Sequence, residues 1–373
     1  MSAAAGNTAA GSKKEGVKIT EEGLAHLRAM LGQETPIPQY NTVIGFDAVR
    51  HYAQGVGDDN PRWLEPDYTT RWGRTTLPTF LMTCGFPRSR GLPGVHGLFS
   101  GVDLRVHRPL TQGTSVTAMS GLHELIEREG RYAGRVFQQV ARTRYLDGTG
   151  AELGTLYSHA FRTERGAGKE GNKYAGLERA RYTDEDYARF EDHYRKELAA
   201  RRNASTRWFE DVEIGEPMLD ILKGPLTVTD CVAFLMGFGT IYVRAHRIWN
   251  GFRSRHPGAG TKDQFGVWDV PERVHWEDEM ARNIGMPGAY DYGPQRVGWF
   301  DHAVHDWMGD DGWLTRLKVE LRTPNFIGDC TWIRGTVTSK DPATGLVHID
   351  MQAVDQRDRV TAKGFAEVIL PRR

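Results

Sequence analysis

Two regions of this chain alternate apolar and polar residues with the period of a β-strand, and each holds four such segments. The first set is FSGVDLRVHRPL, TSVTAMSGLHEL, GRVFQQVARTRYLDG and GTLYSHAFRTE; the second is TRLKVELRTPNFIGD, CTWIRGTVTS, GLVHIDMQAVDQRDRV and TAKGFAEVILP. Turn residues rich in Gly and Asp separate the segments, so each set predicts an antiparallel sheet. Helical spacing precedes each set. EEGLAHLRAMLG predicts a short helix ending at Gly32, and apolar positions across Gly45 to Gln54 predict a second. In the other half, LTVTDCVAFLMGFG predicts an apolar helix with a Thr N-cap.

Between the two sets the composition changes. ERGAGKEGNKYAG is turn-rich, and DEDYARFEDHYRKELAARR is a strongly charged helix with few large apolar residues. The expected organisation is therefore a disordered lead-in over 1–18, a first domain over 19–165, a partly helical surface linker over 166–207 and a second domain over 208–373.

Bulk properties narrow the partners. Lys plus Arg and Asp plus Glu are both 48, and this charge balance argues against a protein that wraps a polyanion. The sequence holds no run of 18 apolar residues, so no membrane span is expected. The N-terminus lacks the apolar core of a signal peptide. Cys84, Cys231 and Cys330 are far apart and odd in number. They suit a reducing cytoplasm and show no metal-binding spacing.

The halves share landmarks. Trp63 is followed ten residues later by Gly73, and His275 ten residues later by Gly285. Downstream, RPLTQGTSV (Arg108 to Val116) matches RTPNFIGDCTW (Arg322 to Trp332). Order and spacing persist while identity is low, as expected of a duplicated unit whose copies have diverged. The first copy carries GDDNP but has Trp63 where the second has His275, so proton chemistry is expected in the second half.

GDDNPRWLEP, PGVHGLFSGVDLRVHRPLTQG and HWEDEMARNIGMPGAYDYGPQR resemble the MaoC-like acyl dehydratases, the hydratase-2 branch of the enoyl-CoA hydratases. The resemblance covers roughly Pro36 to Arg165 and Trp208 to Pro371. It implies an α+β double hot dog, two curved antiparallel sheets each wrapped around a central helix. Those helices would be LPTFLMTCGF and GPQRVGWFDHAVHDWMG. The implied reaction is reversible hydration of a trans-2-enoyl-CoA, with CoA entering as part of the substrate and no metal or organic cofactor. A degenerate first half would house a bulky acyl tail.

The resemblance makes His275 the residue that activates water. The family's carboxylate lies five positions earlier, where this chain has Val270; Asp269, six before, is preferred to Glu272, three before. Gly293 opens the second helix, whose N-terminal N–H groups suit a thioester oxyanion. Many relatives have His-Gly here, whereas this chain has Tyr292-Gly293, so only the role of the Gly carries over. Trp63, Asp58, Asn60, Asp278, Tyr292 and Arg296 are the remaining candidates for the substrate side. Each has a plainer reading: Asp58 and Asn60 as a loop anchor, Asp278 as a helix cap or orienting group, Arg296 as a solvent-facing charge. Two other functions stay open, a thioesterase-like acyl-CoA enzyme and a non-catalytic acyl-binding subunit of a hetero-complex. A lone chain and a homodimer are both compatible with two hot dogs in one chain.

Overall fold

The computed structural model describes residues 18–129, 135–164, 174, 176–240 and 243–373. The expected disordered lead-in and most of the ERGAGKEGNKYAG stretch lie outside them.

All eight expected strand segments form, and they join one ten-stranded antiparallel sheet. In chain order the strands are β1 (Glu34–Pro36), β2 (His96–Val106), β3 (Thr117–Glu129), β4 (Arg135–Leu146), β5 (Glu152–Thr163) and β6 (Ile221–Lys223). A small ribbon follows, β7 (Thr261–Lys262) with β8 (Trp268–Asp269), and then β9 (Trp313–Leu321), β10 (Thr331–Asp341), β11 (Leu346–Asp355) and β12 (Val360–Ile369). The large sheet runs β1-β3-β4-β5-β2-β9-β12-β11-β10-β6. Read from its middle outward in either direction, the order repeats: β2 matches β9, β5 matches β12, β4 matches β11, β3 matches β10 and β1 matches β6. The duplication suggested by the landmarks is thus an approximate two-fold of the sheet. Its axis falls at the β2–β9 seam, where Asp103 pairs with Lys318 in register. Arg316 closes that seam with two hydrogen bonds to Asp103, at 2.8 and 2.7 Å.

The helices follow this symmetry only in part. α1 (Glu21–Ala29) starts the ordered chain, α2 (Phe46–Val56) precedes the first strands and α3 (Pro61–Leu64) is a single turn. α4 (Asp184–Ala200) is the charged connecting helix and opens with a Thr183–Asp186 capping box. α5 (Val228–Phe238) opens with the same device, Thr227–Asp230. α6 (His246–Arg255) belongs to the second-half insert, α7 (Asp278–Asn283) is short, and α8 (Gly293–Met308) is the central helix of the second half.

α2 and α5 are both 11 residues long, and each carries a glycine as its penultimate residue. These glycines are where the helices cross. A Cβ on Gly237 would stand 2.2 Å from the His51 carbonyl oxygen, and one on Gly55 would stand 2.8 Å from that of Ala233. Only hydrogen fits between the two backbones.

The central helices differ between the halves. Gln295 through Met308 of α8 are all buried, as expected for a helix inside a wrapped sheet. The first-half counterpart is a 3-10 helix over Pro78–Cys84, not a long α-helix. Pro78 sets its start and Gly85, at φ 142°, ends it. Polar groups of α8 complete the packing: Asp301 accepts from the Thr79 N–H at 2.8 Å and the Thr79 hydroxyl at 2.6 Å. Among the described residues no helix is long and apolar enough to cross a membrane.

Candidate active site

His275 ends a 3-10 turn, Pro271–His275, just before α7. Its Nδ1 lies 2.8 Å from the Tyr290 carbonyl oxygen. A carbonyl can only accept, so Nδ1 carries the proton and Nε2 keeps a lone pair. The imidazole lies against the Tyr292 ring, centroids 3.7 Å apart and planes tilted by 30°, and edge-on to Tyr290 at 4.7 Å. Burial pushes His275 down to about 4, against the opposing pull of the Tyr290 and Asp291 backbone. The ring is therefore neutral at pH 7.

Glu272, one turn earlier, is pushed the opposite way. Burial raises its carboxyl above the ordinary range, and the Arg88 charge opposes this only in part. Its Oε2 is buried and has no hydrogen-bond partner, and the same holds for the Tyr292 hydroxyl oxygen. Buried polar atoms are nearly always paired, so orphans on Tyr292, which packs on the imidazole, and on Glu272, one turn before it, mark a place where a substrate group would complete the bonding. Arg88 comes from the first half, and burial lowers it to about 10. An apolar wall leads from the site toward that half: Tyr292 packs on Phe234, Phe234 on Phe238, Phe238 on Phe86 and Phe86 on Phe99.

Asp269, preferred from spacing, is turned elsewhere. It lies on β8 of the small ribbon and pairs with Thr261 in register. One carboxylate oxygen accepts from the Val270 N–H at 2.7 Å, and the other lies 3.8 Å from Arg273 Nε. No hydrogen bond or ion pair joins His275 to Asp269 or to Glu272 among the described residues. Glu272 shares a 3-10 turn with His275, whereas Asp269 is held by its ribbon.

Other candidates support the site from behind. Asp278 accepts from the Ala289 N–H at 2.9 Å and so ties α7 to the segment that carries Tyr290 and Tyr292. Glu277, not Asp278, is the N-cap of α7, and no side-chain hydrogen bond is made there. Gly293 opens α8 as expected, and a Cβ there would stand 2.4 Å from the Phe99 ring. Arg296 faces neither substrate nor solvent. It is 2 % exposed, donates to Asp291 at 2.7 and 2.6 Å, and donates to the carbonyls of Thr323 and Thr361 at 2.7 and 2.8 Å. Asp291 in turn accepts from Asn325, and the pair locks the strap on which Tyr290 and Tyr292 sit. Asp291, the Tyr290 carbonyl and Arg88 escaped sequence reasoning. A backbone acceptor leaves no trace in residue type, and Arg88 and Asn325 lie far in the chain from the groups they meet, Glu272 and Asp291.

The first-half motif is internal. Asp58 accepts from the Asn60 N–H at 3.0 Å and from the Trp63 indole N–H at 2.8 Å. Asn60 caps α3 through the Arg62 N–H. Trp63 is fully buried and packed edge-on to His305 at 5.2 Å. These three residues anchor a loop, because the indole reaches the carboxylate that another side chain would otherwise meet.

Comparison with known proteins agrees with this architecture. Residues 29–155 match the model of the FAS1-like, dehydratase domain region. A MaoC-like dehydratase superposes with a TM-score of 0.63 at 17% identity, covering 92% of this chain and 100% of the other. The fold is the double hot dog of the MaoC-like dehydratases. A MaoC-like dehydratase from Phytophthora capsici superposes at 0.55 with 13% identity, covering 94% and 99% of the two chains. A conserved hypothetical protein from Mycobacterium tuberculosis, described as a double hot dog, superposes at 0.52 with 12% identity over 91% and 96%. No curated protein matches the sequence.

Proposed function

We propose that this double hot dog is a hydro-lyase that adds water across the 2,3 double bond of an enoyl thioester, or removes it from the 3-hydroxyacyl form. The observation that carries the reading is the opposite tuning of His275 and Glu272. Burial favours the neutral imidazole and the protonated carboxyl, which are the base and acid forms that hydration requires. His275 Nε2 takes a proton from water as its oxygen bonds to carbon 3. Glu272 delivers a proton to carbon 2, where the enolate has gathered the electron pair of the double bond. A proton passed from imidazolium to carboxylate through solvent resets the pair. The N-terminus of α8 at Gly293 supplies N–H groups for the thioester oxygen, and the negative charge developing there gains from the helix dipole.

The first half contributes the aromatic wall through Phe86 and Phe99. Its length supports a bulky acyl group, with CoA as the carrier. Asp278, Asp291 and Arg296 hold the strap in place without touching substrate.

The test is loss of enoyl-thioester absorbance with a panel of trans-2-enoyl-CoAs that includes branched and ring-bearing chains. Wild type should consume the band, whereas His275→Ala and Glu272→Gln should each lower kcat by about 100-fold or more. Full activity in His275→Ala would overturn the site. The rate should also fall on the acid side as pH drops through about 4, where His275 charges. On the alkaline side it should fall as Glu272 ionises.

A further inference from the structure

A second group of titratable side chains lies outside this site, buried between the halves. His302 and Asp306 are one turn apart on α8 and project from one face. Asp58 reaches them from the first-half loop. All three are at least nine-tenths buried, at 1 % exposure for Asp58, 3 % for His302 and 5 % for Asp306. His302 Nε2 lies 3.2 Å from Asp306 Oδ2 and 3.7 Å from Asp58 Oδ1. Apart from facing each other at 3.2 Å, neither His302 Nε2 nor Asp306 Oδ2 has a hydrogen-bond partner. Three potential ligand atoms thus converge within 4.8 Å of one another.

We propose that Asp58, His302 and Asp306 form a binding site for a divalent transition-metal ion, best suited to zinc, that clamps the two halves together. Donors about 2.1 Å from a tetrahedral zinc stand about 3.4 Å apart, which the observed 3.2 and 3.7 Å bracket. One imidazole with two carboxylates suits zinc and its neighbours better than calcium or magnesium.

The surroundings orient each donor. Lys223 Nζ lies 2.6 Å from His302 Nδ1, 2.9 Å from the Val56 carbonyl and 2.8 Å from that of Gly57. These contacts fix the imidazole from its Nδ1 side, so that Nε2 faces the two carboxylates. Arg201 donates to Asp306 Oδ1 at 2.9 Å and leaves Oδ2 free. The Trp63 indole and the Asn60 N–H hold Asp58. A cavity of about 120 Å³, lined in part by Glu197, Arg201 and Arg207, borders one of the three, Asp306.

The site is independent of the proposed hydration. The experiment is zinc titration of chelator-stripped full-length protein, by calorimetry and by thermal melting. Wild type should bind one zinc per chain and melt higher with it. His302→Gln and Asp306→Asn should each weaken binding by about 100-fold and lose the melting shift. No saturable uptake by wild type, or equal uptake in both variants, overturns the site and leaves a metal-free imidazole–carboxylate network. If the variants do not fold, cobalt(II) loaded into wild type decides. Intense visible bands of a four-coordinate nitrogen–oxygen site support the proposal, and the spectrum of the hydrated six-coordinate ion overturns it.

Discussion

The lowered pKa of His275 makes a stability prediction that does not depend on knowing the substrate. An unfolded His titrates near 6.5, and the folded one is pushed down to about 4 by burial. Between those values the unfolded chain binds a proton that the folded chain excludes, so stability rises with pH across the window and is lost as pH falls through it. At pH 5 the unfolded His is almost wholly charged and the folded one almost wholly neutral, which costs the fold about 2 kcal/mol relative to pH 7. Carboxylates titrate over the same range, so a single denaturation curve cannot isolate this contribution. The comparison that can is wild type against His275→Asn, whose side-chain amide stands where Nδ1 does and carries no charge at either pH. Urea unfolding of both proteins at pH 7 and pH 5, followed by tryptophan fluorescence, yields four stabilities. The wild type should lose about 2 kcal/mol more than the variant between the two pH values. A difference below about 0.5 kcal/mol would mean that His275 titrates normally in the folded state, and the argument for a neutral base would fail with it.

Two further outcomes follow from packing. Gly237→Ala should destabilise the protein by about 3 kcal/mol in urea unfolding, because its Cβ would meet the His51 carbonyl at 2.2 Å and backbone cannot rotate aside. Gly55→Ala, with 2.8 Å to the Ala233 carbonyl, should cost less, about 1 to 2 kcal/mol. Asp291→Ala should cost about 4 kcal/mol by the same measurement, since it strands the buried Arg296 guanidinium without its carboxylate. It should also abolish turnover by loosening Tyr290 and Tyr292, whereas Arg322→Ala, at an exposed side chain just past the end of β9, should change stability by less than about 0.5 kcal/mol.

The local pattern of the chain determined much of this molecule. Period-two alternation specified eight strands, because a strand buried on one face must alternate whatever it packs against. The Thr caps of α5 and the glycine opening α8 were legible for a similar reason: a helix end is satisfied by residues within a turn of it. The landmarks around Trp63 and His275 pointed to duplication, and the sheet order bears that out. Tertiary structure decided what lay between distant segments. The β2–β9 seam, the Gly55–Gly237 crossing and the Asp58–His302–Asp306 cluster each join the two halves, and no window of sequence holds both partners. The same limit applied to the site. Spacing favoured Asp269, but the ribbon of β7 and β8 turns that carboxylate toward Arg273, and the residue that fixes the His275 tautomer is a backbone carbonyl at Tyr290. Arg296 carries a charge that by residue type belongs on a surface, yet Asp291 holds it in the interior. Periodicity and capping are written within a few residues, whereas the burial of a charge and the direction of a hydrogen bond depend on what the folded chain brings alongside.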